Sequence, residues 1–119
     1  MRAVVMNRLR LRLFASLALA AIAGAAAAAS QSFSVDIAGG RAKGEETLKV
    51  RKGDQVQVRF KSDRPIVLHL HGYNINAKVA PPAPAEMTFK ADLAGRFPVH
   101  EHREGAGHHR AVLFIEVHP

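Results

Sequence analysis

From Ser32 to the end of the chain, apolar residues recur at every second position in short runs, and each run stops at turn-forming residues. A period of two is the mark of a strand with one face buried. Phe33, Val35 and Ile37 form the first run and stop at Gly39-Gly40. Leu48 and Val50 form a second, Lys52-Gly53-Asp54 makes a turn, and Val56, Val58 and Phe60 form a third. Ser62-Asp63-Arg64-Pro65 reads as a loop and 66–71 as a fourth strand. A looser stretch follows from Asn74, with Pro81, Pro82 and Pro84, before Met87 and Phe89 resume strand spacing. Residues 91–95 turn the chain into a strand over 97–102, and 111–117 closes the series. About seven strands without a helical period predict an all-β fold, a small antiparallel β-sandwich.

The first 29 residues break this pattern. Arg2, Arg8, Arg10 and Arg12 flank an apolar run over 13–23, and Ala27-Ala28-Ala29 places small residues before Ser30. That layout predicts a secretory signal peptide over 1–29 and a single domain over 30–119. An uncleaved membrane anchor is the alternative, because the apolar stretch is only slightly short of a spanning helix. Alanine is weakly hydrophobic, and the small-residue tail favours cleavage. With no Arg-Arg pair, a twin-arginine signal is disfavoured; the expected product is periplasmic or secreted, free of the membrane, and loaded with metal after export.

Charge and composition narrow the functions further. The chain's formal charge is +7, but from Ser30 onward 13 Lys and Arg face 10 Asp and Glu. Most of the excess belongs to the predicted signal peptide, so nothing here argues for a nucleic-acid partner. The chain has no cysteine. Disulfides are excluded, and imidazole is left as the strongest ligand for a borderline metal ion.

The histidines are arranged to use that property. His69-Leu70-His71-Gly72 and His100-Glu101-His102, the latter after Gly95-Arg96-Phe97-Pro98-Val99, each place two imidazoles two residues apart. In a strand such residues share a face. Ile66, Leu68 and Leu70 mark the core face of one strand, and Phe97 and Val99 that of the other, so both pairs are expected to point outward. If the two strands are neighbours, cross-strand spacings of about 5 Å would gather four imidazoles into one patch. Such a patch suits copper or zinc, and copper is preferred for its higher affinity for imidazole. His108 and His109, in the glycine-flanked loop 105–110, are secondary candidates as ligands. Glu101 is read as structural, Met87 as core, and His118 as without a role.

Together, Val50-Arg51-Lys52-Gly53-Asp54, the His-x-His-Gly segment at 69–72, the Gly-x-x-x-x-His-x-His segment at 95–102 and the closing strand over 112–117 resemble the cupredoxin domain. The two histidine motifs look more narrowly like the first domain of multicopper oxidases. The resemblance implies that His69 matches a type 2 copper ligand and that His71, His100 and His102 match type 3 ligands. The missing cysteine excludes a blue type 1 site, and one small domain cannot supply the remaining ligands of a trinuclear cluster.

Three functions compete on this reading. One is an exported copper-binding protein that buffers, transfers or sequesters the ion without turnover, alone, as a homo-oligomer or with a copper-handling partner. The second is a redox subunit assembled from several cupredoxin chains. The third is a metal-free interaction module. The missing thiolate argues against the second and the retained histidines against the third. No hydrolytic triad, phosphate loop or nucleotide fingerprint is present, so no catalytic residue is assigned.

Overall fold

The structure is a computed structural model that describes residues 28–103 and 110–119. Positions 1–27 of the expected signal peptide lie outside the described residues, as do His108 and His109. Among the described residues there are strands and no helix, hence no helix long and apolar enough to cross a membrane.

Nine strands make two packed sheets. β1 (Ser30–Ala38), β2 (Arg41–Ala42), β4 (Gln55–Ser62) and β7 (Ala85–Lys90) form one, in the order β2-β1-β4-β7. β3 (Thr47–Arg51), β5 (Ile66–Leu70), β6 (Ile75–Val79), β8 (Gly95–Glu101) and β9 (Ala111–His118) form the other, in the order β3-β9-β8-β5-β6. The alternating apolar positions meet between the sheets. Val56, Val58, Phe60, Leu68, Leu70, Met87, Val99, Leu113 and Ile115 are all at most 1% exposed, so the faces inferred from the period of two are the faces the fold buries.

Two features differ from the sequence expectation. The sheets are mixed rather than antiparallel, because β1 pairs in parallel with β4 and β3 in parallel with β9. Side-chain alternation reports which face is buried and is the same for either strand direction. There are also two more strands than expected. β2 is too short to carry a period, and β6 was concealed by Ala77, a weak apolar residue between Ile75 and Val79 that is nonetheless buried.

The strands that carry the histidines are central or nearly so. β8 lies between β9 and β5, antiparallel to both, and His69 of β5 is directly opposite His100 of β8. The ladder continues past β5: the His71 N–H donates to the Pro98 carbonyl at 3.0 Å and the His102 N–H to the Val67 carbonyl at 2.7 Å. Pro98 has no N–H to return the first of these bonds. Strand β5 therefore ends at Leu70, one residue earlier than expected, and His71 opens a turn.

Candidate metal centre

The outward positions of β5 and β8 are set by the core residues between them. Leu68 and Leu70 are fully buried, and so is Val99 opposite Leu70. His69 and His100 consequently face away from the core as a directly opposed pair, each half-buried. His71 follows on the same side and is exposed. The outward direction expected is thus realised for His69, His71 and His100, and the two strands are neighbours.

Three of the rings pack together. The His69 and His71 centroids are 4.8 Å apart with planes at 89°, and those of His71 and His100 are 4.8 Å apart at 85°. His71 is thus shared edge-on by both neighbours. His102 is exposed at the end of β8, opposite Val67, and among the described residues it makes no ring contact with the other three. The His69 Nδ1 edge is engaged by Asn76 Oδ1 at 2.6 Å. Asn76 lies opposite His69 on β6. The sequence reading passed over Asn76 because it passed over β6, although its alternating Ile75, Ala77 and Val79 already place Asn76 on the outer face.

The arrangement fits an imidazole-binding ion in donor type and spacing. With metal–nitrogen distances of about 2.0–2.1 Å, two imidazoles on one ion place their centroids about 4.5–5 Å apart. The nitrogens are not converged as the rings stand: among the described residues no group of three or more His, Asp or Glu side chains is placed to hold an ion. Edge-to-face packing satisfies neutral rings in one another's company. Turning His71 and His100 about their side-chain torsions is what ligation would require.

The supports of the site are rigid. Gly72, which closes the His-x-His-Gly segment, has φ of +85°, and a Cβ there would lie 2.6 Å from Phe97 Cε1. Only glycine combines that backbone with that neighbour. Tyr73 fixes the same turn, its hydroxyl donating to the Leu93 carbonyl at 2.8 Å and accepting from the Leu93 N–H at 3.0 Å. Its ring packs on Phe89 and Phe97. On the other side of His100, β8 and β9 change register between Val99 and His100, so Val99 is paired with Leu113 and His100 with Ala111. This bulge brings a small side chain beside the half-buried imidazole, a use of bulges common near functional sites.

Glu101 points away from the histidines, as expected of a structural residue, and anchors the end of β8. Arg64 donates to both its oxygens, at 2.7 and 2.9 Å, and Arg103 adds a bond of 2.9 Å. The Arg64 hydrogen bonds, helped by Arg103, pull its carboxyl from an ordinary 4.5 to about 2. Because the folded value is depressed, this stabilisation is complete above about pH 4.5 and is lost as pH falls through about 2. Glu101→Gln is expected to cost roughly 1.5–3 kcal/mol at neutral pH, the range for hydrogen bonds to charged groups. Acid titration of unfolding should show a shallower low-pH limb in the variant; identical limbs would remove Glu101 from the acid response.

The expectation that Met87 is a core residue is met. Met87 is 1% exposed in the core. His118 is exposed and lies 2.8 Å from Glu116, remote in register from the histidine row.

No family model matches the sequence, nor does any curated protein. Solved structures do share the fold. A chain of a heme-copper terminal oxidase dimer aligns with a TM-score of 0.59 at 25% identity, over 70% of this chain and 60% of that one. A copper binding protein solved by NMR in the apo form gives 0.59 at 14% identity, over 74% and 87%. The Blue Copper Oxidase from Nitrosomonas europaea gives 0.54 at 16% identity, over 76% of this chain but 39% of its own. The chain spans less than two thirds of the length of the first and the last. The fold is cupredoxin-like, and the blue-copper cysteine is absent.

Proposed function

We propose that this chain is an exported cupredoxin-like protein that binds copper through His69, His71, His100 and His102 and serves to buffer, transfer or tolerate the ion. The observation that carries the reading is the cluster of His69, His71 and His100, three outward imidazoles linked by 4.8 Å spacings on two adjacent strands and the turn after one of them. His102, exposed and one residue beyond the end of β8, supplies a fourth ligand once the ion draws the rings round. His108 and His109 are secondary candidates as further donors. Copper ranks above zinc for an all-imidazole site, and the copper proteins among the structural neighbours support that order.

A resident copper ion would be held by neutral imidazole nitrogens on the outer face of the sheet, with water or a partner's donor completing its sphere. The protein's own contribution is a rigid platform: β8 hydrogen-bonded on both sides, Gly72 locked over Phe97, and Glu101 tied to two arginines. Electron-carrier function of the type 1 kind has no thiolate to support it. The reading as a redox subunit is weaker for the same reason.

Titration of the metal-free protein with Cu2+ tests this proposal. The expected product has weak visible absorption, nitrogen hyperfine structure in its paramagnetic resonance spectrum, and no intense thiolate-to-copper band. An intense blue band, or no binding at micromolar concentrations, would overturn it.

A further inference from the structure

Asn76 does more than fill a position opposite His69. Its carbonyl oxygen lies 2.6 Å from His69 Nδ1. A carbonyl oxygen accepts and cannot donate, so the proton of this bond belongs to Nδ1. A neutral imidazole has only one such proton, and Nε2 is left with its lone pair. This reverses the preference of a free histidine side chain, which favours the proton on Nε2.

The direction of the bond matters as much as its polarity. Asn76 is on β6, on one side of His69; His100 is on β8, on the other. The two nitrogens occupy opposite edges of the ring, so turning Nδ1 to β6 turns Nε2 away from it, toward the side on which β8 brings His100. We infer that Asn76 is a positioning residue that holds His69 as the Nδ1–H tautomer and aims its Nε2 lone pair into the histidine cluster. A hydrogen bond from the distal nitrogen of a ligating histidine to a carbonyl is a common means of orienting the ring and raising its basicity. The metal half of this inference rests on the proposed copper site; the tautomer does not.

Nitrogen-15 NMR of the imidazoles in the metal-free protein, above the ordinary imidazole range of about pH 6.5, tests the assignment directly. Asn76→Asp keeps an acceptor at the same place, and Asn76→Leu removes it at an exposed position. His69 is expected to carry its proton on Nδ1 in the wild type and in Asn76→Asp, and to move it largely to Nε2 in Asn76→Leu, with backbone amide spectra unchanged away from the substitution. Cu2+ affinity should fall about 10–100-fold in Asn76→Leu and be largely retained in Asn76→Asp. A wild-type proton on Nε2, or a tautomer indifferent to Asn76→Leu, would overturn the inference. So would a shifted tautomer with unchanged Cu2+ affinity, which would deny the positioning role. Absence of Cu2+ binding by the wild type would instead overturn the proposed function and leave the NMR arms to decide the tautomer.

Discussion

Excess Cu2+ is expected to raise the melting temperature of the wild-type chain by about 10–20 °C and to leave the His69→Ala/His100→Ala variant where it was. A ligand at a hundred times its dissociation constant adds about 2.7 kcal/mol if the unfolded chain binds none. In a domain of this size each kcal/mol is worth about 4–8 °C. Histidines of the unfolded chain also take copper, which pulls the shift toward the lower figure. The two substitutions remove the directly opposed pair of the cluster, and with them two of the three packed rings. Losing ligands must cost more than the roughly 10–100-fold that follows from disturbing their supports. His118→Ala is the control, since His118 is engaged with Glu116 instead. The wild-type shift should shrink on acidification, because protons compete with the ion for imidazole. A copper-induced rise that survives in the double variant, or that His118→Ala abolishes equally, would reduce the cluster to a histidine-rich surface.

Gly72→Ala should be the most damaging single-methyl change in the site, costing about 2–5 kcal/mol. One part is the left-handed backbone, which disfavours a Cβ by about 1–2 kcal/mol. The other is overpacking of about 1–3 kcal/mol, because the Cβ would overlap the Phe97 ring. Phe97 is packed against Gly72, Gly95 and Tyr73, which restricts its retreat. The variant should also bind Cu2+ more weakly, since His71 precedes the displaced turn. Urea unfolding measures the first effect; a loss below about 0.5 kcal/mol, the usual size of an innocuous surface change, would show that the turn yields freely.

The residues that made the fold legible are the apolar ones in long alternating runs, such as Val56, Val58 and Phe60. Their faces, and therefore the outward direction of His69 and His100, follow from the period alone. Strand direction does not, and the parallel pairing of β1 with β4 and of β3 with β9 was out of reach for that reason. The adjacency of β5 and β8 is a tertiary fact that the two histidine motifs suggested only through their chemistry. Asn76 was the costlier omission. Its role depends on a partner seven residues away across a turn, and Ala77 made the strand that presents it too weakly apolar to notice. Gly72 was visible as part of a motif, but the reason for it, an aromatic ring from another strand in the place of its Cβ, was not.

The parallel union of β3 with β9 joins segments 67 residues apart in the sequence, with Val50 beside Val117. Pairings of such long range are late and slow to form, since most of the chain must be closed into a loop first. Until β9 docks, β8 has a neighbour only on the β5 side. His100 reaches His69 and His71 through the β5–β8 pairing alone, so the three-ring cluster can assemble before the β3–β9 ladder closes the sheet.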